Sequence, residues 1–245
     1  MRAYTYLERG VFRMTQKPRP VLRAPRDAVV RVTLASICTS DVHIRNGAVP
    51  RAVPGITVGH EFVGVVEETG SAVTHVKKGD RVAVNVETYC GTCFFCRHGW
   101  VNNCSDPNGG WALGCRIDGG QAEYARIAFA ATHRVPIPDG VTDEQALFTG
   151  DLLSTGYWAA KIAHIRKGDT VLLIGAGPTG YCTALCARLH NPARLIVCEI
   201  DPVRRAFFAR RFPNAEVLPP EDALPLLARM PRGGADAVLS LIHIT

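Results

Sequence analysis

The 245-residue sequence predicts a two-part α/β protein, a β-rich unit followed by a partial doubly wound parallel sheet. Three observations carry this reading. Up to about residue 150, Val-rich runs at 28–35, 56–68, 81–87 and 121–127 alternate with turn signals such as Lys78-Gly79-Asp80 and Pro138-Asp139-Gly140. From about Ser154, short apolar runs alternate with helix-like segments, as in βαβ units. The first of those runs enters a helix through Gly175-Ala176-Gly177-Pro178-Thr179-Gly180, a glycine-rich turn in strand-to-helix context.

The elements of the second part follow in order. A helix over 156–165 precedes the strand 171–174, and the glycine turn opens a helix over 181–189. A second strand, 195–198, ends at Glu199. Asp201-Pro202 then starts a helix, with Asp as N-cap and Pro at the first position. A third strand near 216–218, a helix over 221–230 and a fourth strand over 235–242 complete the set. The expected division is 1–153 and 154–245.

Composition excludes several classes. No run is long enough to span a bilayer, and there is no low-complexity tract or internal repeat. The formal net charge is +6, but the arginines are scattered, with small clusters at Arg204-Arg205 and Arg210-Arg211. No aromatic-interleaved basic patch points to nucleic acid. The opening MRAYTYLERG lacks the apolar core of a signal peptide, and nine cysteines is an odd number. Reduced thiols and a cytoplasmic protein are the expectation.

Two patterns suit metal. Cys90, Cys93, Cys96 and Cys104 offer four soft thiolates whose short spacings let one turn aim successive sulfurs at a point. Four thiolates close a tetrahedron around Zn²⁺ and leave no open position, so such a site holds a loop in place. Taken alone, these cysteines also fit a small zinc-binding module. The second pattern is Cys38-Thr39-Ser40-Asp41-Val42-His43, with Gly59-His60-Glu61 further on. A thiolate and an imidazole suit zinc, and neighbouring carboxylates can ligate it or orient the histidine. In the glycine turn, the glycines allow close approach of a pyrophosphate to the helix N-terminus, and Glu199 can accept from the ribose hydroxyls.

With these four motifs in this order, the sequence resembles the medium-chain zinc-dependent alcohol dehydrogenase family over essentially its whole length. The resemblance implies a GroES-like β-barrel catalytic domain joined to a Rossmann domain. It also implies hydride transfer between an alcohol, or an aldehyde or ketone, and NAD(P), with zinc as Lewis acid on the substrate oxygen. Residue by residue it implies a catalytic zinc on Cys38, His60 and Asp151, where many members carry Cys at the last position. Asp151 is also in the right setting to be a helix N-cap. Glu61 matches an exchangeable ligand, Asp41 the partner of His60, and Ser40 and His43 the proton relay. Thr155 matches a threonine beside the nicotinamide. Gly175, Gly177, Pro178 and Gly180 match the pyrophosphate loop. Glu199 favours NAD, while Arg204 and Arg205 leave NADP open.

About four strands after Ser154 are too few for two βαβαβ halves. The nicotinamide half and the return segment of the catalytic domain are expected to be missing. The reading is therefore a fragment or truncated product that does not turn over alcohols and tends to aggregate, whose full-length parent is a homo-oligomer. The alternatives are a catalytically incompetent zinc-binding remnant or binding module, and a zinc-binding structural protein. The last leaves residues 175–180 unexplained.

Overall fold

In the computed structural model, which describes residues 1–132, 136–230 and 233–240, the chain divides into two compact units, Met1–Asp151 and Leu152–Thr245.

The first unit opens with an antiparallel hairpin of β1 (Arg2–Glu8) and β2 (Val11–Gln16), closed by Gly10 at φ +84°. Next come β3 (Ala28–Ala35), α1 (Thr39–Arg45), β4 (Phe62–Thr69), β5 (Arg81–Ala83), β6 (Glu87–Thr88), α2 (Phe94–Arg97), β7 (Gly110–Trp111), β8 (Tyr124–Ile127) and α3 (Asp143–Leu147). The main sheet is antiparallel in the order β5-β4-β3-β8, and β6 pairs with β7. Alternating residues of β3, β4 and β8 fill one core around Val30, Phe62, Val66, Leu113, Ala125 and Ile127. Phe62 is fully buried, which is worth about 1.5–3 kcal/mol relative to exposure.

Two expectations change here. The run 56–68 becomes a strand only from Phe62, because Gly59 takes φ +89°. A Cβ there would lie 2.4 Å from Gln121 Cγ, so this turn needs glycine. The run 81–87 splits into β5 and the start of β6. The hairpin β1–β2 and helix α1, absent from the sequence reading, complete the first unit.

The second unit contains α4 (Leu152–Ile162), β9 (Thr170–Ile174), α5 (Pro178–Arg188), β10 (Arg194–Cys198), α6 (Pro202–Arg211), β11 (Glu216–Leu218), α7 (Pro220–Ala228) and β12 (Ala237–Ser240). All four strands are parallel, in the order β11-β10-β9-β12. The first strand is central and the chain switches sides after the third, as in a doubly wound fold. Its core gathers Leu173, Val197, Phe208, Phe212 and Leu239. Helices α4 and α5 approach closely at Gly156, where a Cβ would meet the Cys182 carbonyl carbon at 2.7 Å. The helix expected over 156–165 starts and ends earlier, as α4. Residues 241–242 of the expected fourth strand lie outside the described residues. Among the described residues, no helix is long and apolar enough to cross a membrane.

Candidate metal and cofactor sites

Cys90, Cys93, Cys96 and Cys104 come together on the loop around α2, with their sulfurs all within 4.8 Å of one another. Cys90 and Cys96 sulfurs are 3.9 Å apart, and those of Cys93 and Cys104 are 4.0 Å apart. Zn–S bonds of about 2.3 Å in a tetrahedron separate sulfurs by about 3.8 Å, so the donor set fits zinc without rearrangement. All nine cysteines are free of disulfides. Backbone N–H groups of Cys96 and Ser105 hold the Cys93 thiol down to about 5. Burial, with the neighbouring sulfurs of Cys93, Cys104 and Cys90, pushes Cys96 up to about 12. The four sulfurs cannot all ionise side by side without a counter-charge, which a dication supplies.

The second cluster is assembled from distant segments. Cys38 is the N-cap of α1, and the Asp41 side chain, three residues on, accepts the Cys38 N–H at 3.0 Å. His60 and Glu61 follow the Gly59 turn, and Asp151 ends the first unit. One donor atom from each of Cys38, His60, Glu61 and Asp151 lies within 4.8 Å of the others. His60 Nε2 and Asp151 Oδ2 are 3.2 Å apart. Zinc bonds of about 2.0–2.2 Å to nitrogen and oxygen place such ligands about 3.4 Å apart. The donor set of sulfur, nitrogen and carboxylate oxygen fits zinc as well.

Electrostatics agree. Burial, the largest influence, pulls the His60 pKa down. Hydrogen bonds to Asp151 and Cys38 and the charges of Cys38 and Asp41 outweigh it and lift the group to about 10. Burial pushes the Asp41 and Glu61 carboxyls up, and the charge of Asp151 adds to the shift of Glu61. Buried Glu61 Oε1, Asp41 Oδ1 and His60 Nδ1 have no hydrogen-bond partner. The pocket is built to surround positive charge.

Of the expected relay, half-buried Ser40 has its Oγ 3.4 Å from Cys38 Sγ, and His43 is exposed one turn later on α1. Sequence reasoning missed four neighbours. Ser36 Oγ donates to Glu61 Oε2. Gln121 Nε2 donates to Asp41 Oδ2 at 3.1 Å and to Ser36 O at 3.2 Å. Trp111 meets the His60 ring edge-on at 5.8 Å, and Arg51 lies 5.0 Å above Trp111. No local pattern marks these residues, since each reaches the cluster through sheet pairing or loop packing.

In the second unit the glycine turn has the expected form. Gly175 takes φ +100°, Gly177 caps α5, and Pro178 occupies its first turn. A Cβ on Gly180 would lie 2.1 Å from Gly175 O, so glycine lets the helix close on the strand. Glu199 is buried at the end of β10, and its two oxygens accept the N–H groups of Ala176 at 2.7 Å and Asp201 at 2.9 Å. Arg204 is exposed, and its N–H is capped by Asp201. The Arg205 guanidinium is taken up by the carbonyls of Glu199 and Ile200, at 2.8 Å each. Thr155 is exposed on α4.

Residues 24–139 match the alcohol dehydrogenase GroES-like domain. The uncharacterized zinc-type alcohol dehydrogenase-like protein AdhB of Bacillus subtilis is 34% identical over 259 residues, covering 99% of this chain and 68% of that protein. An alcohol dehydrogenase of Cupriavidus necator is 40% identical over 220 residues, covering 81% of this chain and 58% of its own length. Zinc dependent alcohol dehydrogenase 2 from Streptococcus pneumonia superposes with TM-score 0.88 at 34% identity, covering 98% of this chain and 68% of that one. A short chain alcohol dehydrogenase from E. coli CFT073 in complex with NADH superposes with TM-score 0.76 at 26% identity, covering all of this chain and 63% of its own. The chain therefore spans about three-fifths to two-thirds of the length of these proteins. With the GroES-like match, two zinc-fitting donor sets and a glycine turn opening a parallel sheet, the chain belongs to the medium-chain zinc-type alcohol dehydrogenase family.

Proposed function

We propose that the protein transfers a hydride between an alcohol, or the matching aldehyde or ketone, and NAD. Cys38, His60 and Asp151 would hold one zinc ion, and Cys90, Cys93, Cys96 and Cys104 a second. The observation that carries this reading is the convergence of Cys38, His60, Glu61 and Asp151 on one point from three separate segments. Zinc, when bound, supplies Lewis acidity toward the substrate oxygen.

The remaining roles belong to the chain's own side chains. Ser40 takes the hydroxyl proton of the substrate and passes it along α1 toward exposed His43, which exchanges it with solvent. Glu61 offers a further oxygen to the same cluster and is kept in reach by Ser36. Asp41 orients His60 and is itself held by the Cys38 N–H and Gln121. Gly175, Gly177, Pro178 and Gly180 admit a pyrophosphate against the start of α5. Glu199 retains lone pairs for ribose hydroxyls beyond the two N–H groups it accepts. A 2′-phosphate would meet this buried carboxylate, so NAD is preferred. Arg204 is the residue through which NADP would be accommodated. Thr155 packs beside the nicotinamide.

The test combines metal analysis with turnover. Protein purified without chelators should carry two zinc equivalents, and Cys38→Ser should remove one of them and, in a full-length version, NAD-dependent alcohol oxidation with it. One equivalent or none after zinc reconstitution rejects the ligand assignment. Two equivalents with no oxidation across a panel of primary and secondary alcohols would instead favour a zinc-holding binding module. In an active sample, kcat/KM with NAD should exceed that with NADP. The reverse order would give Arg204 or Arg205 control of the ribose site.

A further inference from the structure

Glu87, on β6, is half-buried, yet its carboxylate makes no hydrogen bond and no ion pair among the described residues. Oε2 is buried without a partner, and Oε1 is the oxygen that a ligand can reach. β6 pairs with β7, and Glu87 stands directly opposite Trp111, so the two side chains share a face. On that face the Trp111 ring meets the His60 ring at 5.8 Å. One residue before Glu87, the Val86 N–H donates to Gly150 O at 3.2 Å, beside Asp151. Glu87 therefore borders the mixed cluster of Cys38, His60, Glu61 and Asp151 without joining it.

A carboxylate in such a place is usually paired. Here the guanidiniums whose charge reaches it are engaged elsewhere. Arg51 lies 5.0 Å above the Trp111 ring, and Arg116 donates to the carbonyls of Pro107 and Gly109. Burial, the largest influence, and the charge of Asp151 push the Glu87 carboxyl up, while the charges of Arg51, His60 and Arg116 pull it down. Both signs of charge thus surround the group. An anionic substituent would meet Glu61, Glu87 and Asp151, and a cationic one Arg51 and Arg116. A neutral hydroxyl meets neither objection and supplies the O–H that an ionised carboxylate accepts.

We infer that Glu87 accepts a second hydroxyl of the substrate, one that does not react, and so directs the site toward short neutral polyols over simple alcohols. This rests on the reading in which the mixed cluster takes the reacting oxygen. It adds a residue that sets selectivity, since neither the metal ligands nor Ser40 and His43 distinguish a polyol from a monohydric alcohol. The contact is charge-assisted, so its loss should weaken polyol binding about tenfold or more.

Cobalt(II), which accepts the same sulfur, nitrogen and oxygen donors, makes binding visible without turnover. The chain is loaded with cobalt, and the absorption bands lost in Cys38→Ser are assigned to the mixed cluster. Titration with erythritol and with 1-butanol, equal in carbon number, then reads each half-saturating concentration from those bands. Erythritol should half-saturate at the lower concentration. Glu87→Gln keeps the side-chain shape and alters a carboxylate with no hydrogen-bond partner, so the melting temperature should stay unchanged. The same variant should raise the half-saturating concentration of erythritol about tenfold and leave that of 1-butanol as it was. Glu87→Ala should raise it further, because Gln retains a carbonyl acceptor. Three outcomes would overturn the inference and leave the metal reading intact: bands that neither alcohol shifts, an equal response to both, or an erythritol preference that survives Glu87→Gln because the metal alone takes two hydroxyls. Absence of any Cys38-dependent band would reject the metal reading, and the inference with it.

Discussion

The two metal-fitting clusters are made in opposite ways. Four cysteines within a fifteen-residue window form one, and its geometry follows from short spacings on a single loop. The other draws Cys38, His60, Glu61 and Asp151 from segments over a hundred residues apart, and needs the sheet, α1 and the Gly59 turn before its donors meet. The first encodes its shape locally and stabilises the loop that carries it. The second borrows its shape from the fold and leaves its chemistry to supporting side chains. Disrupting the first should therefore damage stability, and disrupting the second should damage metal affinity and turnover.

The largest expected effect breaks the comparison at its local side. Cys93→Ser removes a ligand whose binding energy is folding energy, and should cost about 3 kcal/mol or more, a melting shift of about 6–12 °C for a chain of this size. Cys38→Ser should lose the zinc of the mixed cluster with a much smaller melting shift. Scanning calorimetry of both variants in parallel decides the matter. Equal losses would mean that the mixed cluster is also structural.

Second in size is the effect of the neighbours that hold the mixed cluster. Asp41 acts on His60 through its charge and accepts the Cys38 N–H. Asp41→Asn should lower zinc affinity at this cluster by about 10–100-fold, the usual worth of an orienting carboxylate. Gln121→Ala should lower it less, because Asp41 keeps the Cys38 N–H. Competition with a chromogenic chelator measures both. An unchanged affinity in Asp41→Asn would assign Asp41 to capping of α1 alone.

A third prediction concerns the glycine turn, which resembles the cysteine loop in being written locally. Gly180→Ala places a Cβ 2.1 Å from the Gly175 carbonyl, a backbone atom that cannot step aside. The strand-to-helix junction must open, at a cost of about 1–3 kcal/mol. Gly177→Ala meets no atom within 4 Å and should be nearly neutral for stability, so urea titration of the pair separates packing from loop chemistry. Equal stability of the two variants would show that the turn tolerates opening.

This division also explains what could be read from sequence. The cysteine spacing, the strand–glycine–helix order and the Asp201-Pro202 helix start all depend on neighbours within a few residues, and the folded protein has each of them. The parallel pairing of β9 to β12 follows from the alternation of apolar runs and helices, whereas the order β11-β10-β9-β12 is seen only in the fold. The pair β1–β2 escaped because Met14, Arg13 and Glu8 are exposed and blur the two-residue period. Helix α1 escaped because its seven residues bury only Asp41 and Ile44. Ser36, Gln121 and Trp111 escaped because their partners lie 25, 80 and 51 residues away in sequence, Trp111 meeting His60 only through ring packing. Long-range contacts carry no signature in a single sequence, and an orienting residue is recognised only by what it touches.

The smallest effect uses a long-range contact that holds no metal. Asp143, in the first turn of α3, accepts from Thr33 Oγ1 and Arg81 Nη2, each at 2.5 Å. These hydrogen bonds, Thr33 first and Arg81 second, together with the Arg81 charge, hold its carboxyl below the usual value. A carboxyl whose pKa is depressed on folding contributes stability above its unfolded pKa of about 3.9, and that contribution is lost as pH falls through the folded value. The pair is partly exposed, with side-chain accessibilities of 38% for Arg81 and 26% for Asp143, so screening limits the effect to about 1 kcal/mol or less. The metal-free protein should thus lose slightly more stability than Asp143→Asn between about pH 5 and pH 3. Near neutral pH, Asp143→Asn should be the less stable of the two, because Arg81 loses its counter-charge. Urea unfolding at several pH values reads both arms. Parallel pH profiles would show that α3 is held to the sheet by its apolar residues Ala146 and Leu147 alone, and that long-range polar contacts matter here only where they surround a metal-fitting cluster.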